Sequence, residues 1–375
     1  MGGPEPGFRL WPQEVTSSSN RPMRPVFLRL VPALSFALLA CAPGLRAQEA
    51  PSPDGPPPAS TAPAQQERNP DTQTLKVNVN LVDIYFSVRD KSGFITGLHQ
   101  QDCGLWEDGQ QQTIKNFTQE KNLPLTIGIL LDTSGSQKNV LPLEQDSGAR
   151  FLSEVLKPKD EAFLISFDVN VDLLADYTNS ARELKRAIDK ATINAASSSA
   201  GVPGIGGGPF PTSNPRGTLL YDAVYLAAHD KLRIEAGRKI LVLLTDGGEN
   251  GSQETLKTAT EAAQKANAIV YVILIADRGF YGGGITLGST GAREMEQLAQ
   301  DTGGRVINVG NNGKKLEEAF DQIQDELRTQ YLVSYTPKNK AADGKFRKTN
   351  IDCGKGTNVQ ARKGYYAIVG GGDDE

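Results

Sequence analysis

Histidine and cysteine are scarce in this chain. Of its 375 residues only two are histidine, His99 and His229, and three are cysteine, Cys41, Cys103 and Cys353. A zinc cage, a histidine-based triad and a four-cysteine cluster therefore lack raw material. A basic excess is missing too. The 40 Lys and Arg stand against 44 Asp and Glu, a net charge of −4, so no surface is expected to follow a phosphate backbone and nucleic acid is not an expected partner. What the chain has in plenty is glycine, 39 residues, and proline, 22, more than a uniformly packed chain carries. Its 38% hydrophobic and 22% charged residues are ordinary globular values, which exclude disorder throughout and allow one large domain or two smaller ones.

Much of the proline lies at the front. From Met23, Arg24 and Arg29 precede an apolar stretch, Val31 to Ala40, too short to cross a bilayer as a helix but right for a signal-peptide core. Residues 1–47 are expected to be a signal-peptide region, with Met23 as the true start because residues 1–22 do not resemble a signal n-region. Two processing sites compete. Leu38-Leu39-Ala40-Cys41 resembles a lipobox, which would leave a lipid anchor on Cys41, whereas Leu45-Arg46-Ala47 before Gln48 suits ordinary signal peptidase. Either way the protein is expected to be exported, to the periplasm, the cell envelope or the outside, with no transmembrane helix in the mature chain. Cleavage after Ala47 removes five Arg and two Glu and takes the net charge from −4 to −7. Export also permits disulfides. Residues 48–75, rich in proline and poor in aliphatics, read as an extended linker.

Beyond the linker the pattern is β, then alternating β and α, then β again. Val77 to Val88 alternates at period two, and Gly104 to Glu107 and Gln111 to Phe117 flank an Asp108-Gly109 hairpin signal. From Leu125 the strands become continuous apolar runs: Leu125 to Leu131, Ala162 to Phe167, Lys239 to Leu244 and Ala268 to Ile275, with a weaker one at Arg305 to Val309. Amphipathic stretches lie between them, and Val171 to Tyr177 suits an antiparallel edge strand. Buried strands alternating with helices predict a doubly wound, mostly parallel, Rossmann-like α/β domain over 122–330. Gln330 to Thr336, Phe346 to Cys353 and Asn358 to Ile368 return to the β pattern. Neither flank is long enough for its own core, so 76–121 and 331–369 are expected to form one β-sandwich-like module into which the α/β domain is inserted, leaving a tail at 370–375. Cys103 and Cys353 fall in its two halves. A disulfide between them would close a long loop and constrain the unfolded chain, and both can equally remain thiols.

In doubly wound sheets ligands gather at the carboxyl ends of the strands. There the first run ends in Asp132-Thr133-Ser134-Gly135-Ser136, a later one is followed by Asp246-Gly247-Gly248-Glu249, and Gly217-Thr218 opens a helix. Asp132, Ser134 and Ser136 alternate, so their oxygens can turn to one side of a loop, with Thr218 and Asp246 arriving from neighbouring loops. Such hard donors suit Mg²⁺ or Mn²⁺. The combination resembles the von Willebrand factor A (VWFA) domain, whose metal-ion-dependent adhesion site (MIDAS) uses a D-x-S-x-S loop, a Thr on a second loop and an Asp on a third. All five positions match. The resemblance implies that the hydroxyls of Ser134, Ser136 and Thr218 contact the metal, that Asp132 and Asp246 act through water, and that an acidic side chain of a protein ligand completes the shell. More narrowly, Trp106-Glu107-Asp108-Gly109 and Ala361-Arg362-Lys363-Gly364-Tyr365-Tyr366 are similar to segments of secreted VWFA-related proteins of Acidobacteria.

Other readings fit less well. Asp132 to Ser136 could be a helix N-cap run and Asp246-Gly247 a plain turn. Neither histidine has a protease context, Ser134 occupies the place of the second acid of haloacid-dehalogenase phosphatases, and Gly204 to Gly208 lacks the lysine of a phosphate loop. Asp222 reads as a structural acid, and Glu249 and His229 as surface residues. The glycine-rich insertion Asn194 to Gly217 reads either as a rim beside the site, together with the segment Asp277 to Gly291, or as a tolerated flexible insertion. The expectation is a non-enzymatic, exported adhesion protein. The alternative is an assembly component of an envelope complex whose metal mainly stabilises loops, and a metal-dependent hydrolase would need a general base.

Overall fold

The computed structural model describes residues 81–120, 123–193, 217–275 and 289–367. The signal segment with Met23 and Cys41, the linker 48–75, insertion residues 194–216, rim residues 277–288 and the tail 370–375 lie outside them.

In chain order the first flank holds β1 (Val82–Arg89), β2 (Gly104–Glu107), β3 (Gln110–Gln111) and β4 (Ile114–Gln119). The middle runs β5 (Leu125–Asp132), α1 (Leu141–Val155), β6 (Glu161–Phe167), β7 (Val171–Thr178) and α2 (Ala181–Ile188). It continues with α3 (Leu220–Leu226), β8 (Arg238–Thr245), α4 (Leu256–Lys265), β9 (Ala268–Ile275), α5 (Ser289–Thr302), β10 (Val306–Gly310) and α6 (Gly313–Thr329). The second flank holds β11 (Tyr331–Tyr335), β12 (Phe346–Asp352), β13 (Asn358–Ala361) and β14 (Gly364–Tyr366).

The middle segment is a doubly wound α/β domain. Its six-stranded sheet has the order β10-β9-β8-β5-β6-β7, parallel except for the edge strand β7, which pairs antiparallel with β6. Every residue of β5, β8 and β9 is buried, because successive side chains serve two cores. Ile127, Ile129 and Leu131 of β5 pack with Leu152 of α1, Leu184 of α2 and Phe320 of α6. Leu130 faces the opposite way, toward Ala223 of α3, Ala263 of α4 and Leu298 of α5. At the second position on that face, Gly128 leaves room for Phe163, since a Cβ there would lie 2.3 Å from its ring. Helices α2, α4 and α6 start at side-chain caps: Ser180 accepts from Glu183 N, Thr255 from Thr258 N and Asn312 from Lys315 N.

Both flanks build the remaining two sheets, ordered β13-β1-β11-β4 and β14-β12-β2-β3. They face one another across Ile84, Phe86, Val88, Leu105, Tyr331, Val333, Tyr335 and Ile351. Phe86 stacks on Tyr331 with ring centroids 5.4 Å apart, and a Cys103–Cys353 disulfide joins β12 to the segment before β2. Two runs that read as single strands in sequence are broken here. Gln111 to Phe117 divides between β3 and β4, on different sheets, because Gln112 turns the corner: its N donates to Leu105 O, and its Oε1 accepts from Lys338 N. Asn358 to Ile368 divides likewise at Arg362, whose guanidinium donates to Asp83 O.

The sandwich is fastened to the α/β domain by a buried tie. Glu326 of α6 accepts from Ser87 Oγ of β1 and from Arg305 Nε, both at 2.9 Å. The chain leaves the sandwich after β4 and returns through β11, and these are paired neighbours, with Gln119 opposite Tyr331.

Candidate metal centre

The order of the central sheet reverses between β5 and β8. The chain moves from β5 to β6 on one side, and the next parallel strand, β8, pairs on the other. A crevice opens at the carboxyl ends of such a pair. Asp132 is the last residue of β5, and Asp246 directly follows β8.

The loop after β5 is ordered by its own acid. Asp132 is fully buried, its Oδ1 accepts from Ser134 N at 3.0 Å, and its Oδ2 accepts from Thr245 Oγ1 at 2.6 Å. This folds the loop so that the Ser134 and Ser136 hydroxyls lie 3.1 Å apart. Thr133 points elsewhere, donating to Asp168 Oδ2 at 2.8 Å, and Asp168 O accepts from Leu219 N at 2.8 Å. Asp168 thereby binds the first loop to the second. Thr218 exchanges two backbone hydrogen bonds with Asn250, at 2.9 and 3.1 Å, which binds the second loop to the third. In that third loop Asp246 Oδ1 accepts from Gly248 N at 2.8 Å. Gly247 has φ +80°, where a side chain would strain the turn, and the start of α5 comes so close that a Cβ on Gly291 would lie 2.2 Å from Gly247 O. The structure thus brings Asp132, Ser134, Ser136, Thr218 and Asp246 to one edge of one sheet.

Electrostatics there are unbalanced. Burial, followed by the Asp246 charge, pushes the Asp132 carboxyl up to about 7, against the hydrogen bonds from Ser134 and Thr245. Glu144 in the first turn of α1 is fully buried with neither carboxylate oxygen partnered, and burial, then Asp132 and Asp246, hold its pKa well above the usual carboxylate range. A hard divalent cation fits this donor set, which is made of oxygens only and sets the buried Asp132 carboxyl close enough to Asp246 for their charges to oppose each other. Among the described residues no three His, Cys, Asp or Glu side chains gather in a metal-ligating group.

Neighbouring residues have other duties. Glu249, read from sequence as surface charge, instead accepts from Leu220 N, Tyr221 N and Ser252 Oγ, closing the start of α3. Asp222 accepts from Gln253 N and Glu254 N in the approach to α4. His229 is exposed and stacks on Tyr225. Sequence reasoning missed Thr245, Asp168 and Glu144. For the first two the available signal was position, since each is a polar residue at the carboxyl end of a buried strand.

Compared with family models and with curated proteins, the sequence finds no match. Solved structures give partial likenesses. Proximal thread matrix protein 1 from the mussel byssus is 16% identical, the match covering 59% of this chain and 51% of that one, with a TM-score of 0.42. BatB from Bacteroides thetaiotaomicron is 17% identical over 55% of this chain and 98% of its own, at 0.39. The SpRpn10 VWA domain is 13% identical over 54% and 95%, at 0.37. The chain thus spans about half the length of the mussel protein. The class of the domain, a doubly wound α/β fold with an oxygen-donor cluster at its switch point, rests on the strand order and hydrogen bonds above.

Proposed function

We propose that this is an exported binding protein of VWFA type, which captures a protein or other acidic ligand through Mg²⁺ or Mn²⁺. Ser134, Ser136 and Thr218 would hold the cation by their hydroxyls, with Asp132 and Asp246 balancing its charge. The observation that carries the reading is the pair of buried acids, Asp132 and Asp246, at adjoining strand ends together with two convergent hydroxyls. A bound cation supplies positive charge and an open position for an incoming carboxylate. The mature chain, at −7 after cleavage at Ala47, would not draw an acidic partner by itself. The signal-like segment supports export, and so does the Cys103–Cys353 bond, which belongs to oxidising compartments.

An assembly role in which the metal only steadies the loops is less well supported. Those loops are already tied by Thr245 to Asp132, Thr133 to Asp168 and Thr218 to Asn250, so a cation is not needed to hold them together. The test is a pull-down from the envelope fraction of the source organism with wild type, wild type plus chelator, and Asp132→Ala. Loss of one partner in both treatments supports metal-bridged capture, and retention in both overturns it.

A further inference from the structure

Glu144 is not among the five clustered residues, yet it is the least satisfied polar group near them. It is one of the buried residues of α1, and those one turn to either side of it are Leu141, Ser147 and Gly148. A carboxylate in such a place costs several kcal/mol unless donors or positive charge meet it. The charged groups that act on it are Asp132 and Asp246, both of its own sign. Gln137, the residue after Ser136, repeats the pattern. It is fully buried, its Oε1 has no partner, and its Nε2 reaches Ile275 O only at 3.5 Å. Two buried acceptors thus lie close in sequence to the cluster, without donors from the protein.

We infer that Glu144 is a positioning residue forming the inner wall of the metal centre, its carboxylate accepting hydrogen bonds from cation-bound water on the side away from the ligand. Gln137 Oε1 takes the same kind of bond. Cation-bound water is a strong donor, and partners of this kind orient a metal without touching it. The inference rests on the cluster being a divalent-cation site and enlarges it by two residues. Ligand capture then depends on α1, since a shift of its first turn moves the water that holds the cation.

Calorimetric titration of the full chain with Mn²⁺ alone, together with thermal unfolding in chelator, tests this with Glu144→Gln, Glu144→Met and Asp132→Ala. Both Glu144 variants should unfold in chelator at or above the wild-type temperature, because a buried unpaired carboxylate has been removed. Both should bind Mn²⁺ about 10–100-fold more weakly. A purely structural residue would lower stability without that opposite change in affinity. Wild-type affinity in either Glu144 variant overturns the inference while leaving the five-residue site intact, provided that Asp132→Ala has lost binding. Failure of a Glu144 variant to fold in chelator also overturns it, since the carboxylate would then have a protein partner. If wild type itself does not bind Mn²⁺, the metal reading falls and this inference with it.

Discussion

Asp132 joins the end of β5, the turn through Ser134 and the strand beside it. Thr245→Val keeps the shape and removes the hydroxyl that donates to Asp132. Urea unfolding should show a loss of about 1–3 kcal/mol, the range for a buried acceptor deprived of its partner, and Mn²⁺ binding should weaken because the carboxylate is no longer held. The raised pKa of Asp132 gives stability a definite pH dependence. In chelator, a carboxyl that titrates near 7 when folded and near 3.8 when unfolded binds more protons in the folded state between those values. Stability is therefore greatest below pH 4 as far as this group is concerned, and is lost as pH rises toward 7, by on the order of a few kcal/mol. Glu144, shifted the same way, adds to the slope. Unfolding midpoints measured across this range should fall in chelator, flatten with saturating Mn²⁺, and flatten in Asp132→Asn without it.

Among the elements, the flanking strands explain two sequence motifs that otherwise lack a reason. Glu107, 2% exposed at the end of β2, accepts from Tyr335 Oη of β11 at 2.6 Å and from Tyr365 Oη of β14 at 2.9 Å. Trp106-Glu107-Asp108-Gly109 and Ala361 to Tyr366 are thus two sides of one contact, with Asp108 and Gly109 at positive φ in the turn. Tyr335→Phe should cost about 1–3 kcal/mol in chemical denaturation. Tyr365→Phe should cost less, because its hydroxyl is less enclosed. The same elements show what the sequence discloses. Continuous apolar runs such as Leu125 to Leu131 and Ala268 to Ile275 identify strands covered on both faces, and the D-x-S-x-S loop follows from its place at the end of one. The corners at Gln112 and Arg362 do not announce themselves, since the residues on either side alternate alike and only packing of two sheets decides where the chain crosses. Glu144 is illegible for a related reason. In a helix reading Leu-Pro-Leu-Glu-Gln-Asp nothing local marks it as buried, since tertiary packing decides that.

For the whole molecule, the Cys103–Cys353 bond links residues 250 positions apart. Closing so long a loop removes much of the unfolded chain's freedom, and native disulfides of this kind contribute about 2–5 kcal/mol. Reduction, or a Cys103→Ser and Cys353→Ser pair, should lower the unfolding midpoint accordingly while leaving Mn²⁺ affinity unchanged, since the five residues proposed to hold the cation lie on the other domain.

The pairing of Gln119 with Tyr331 has a wider meaning. From the standpoint of the sandwich the entire α/β domain is the loop of a hairpin, because β4 and β11 would be adjacent antiparallel strands whatever stood between them. Replacing residues 121–329 with a two-residue Asn-Gly turn should therefore yield a small β protein that retains its disulfide and shows the near-ultraviolet dichroism of a packed Phe86–Tyr331 stack. The sandwich then closes on itself with or without the α/β domain, and its fold does not depend on what is inserted between β4 and β11.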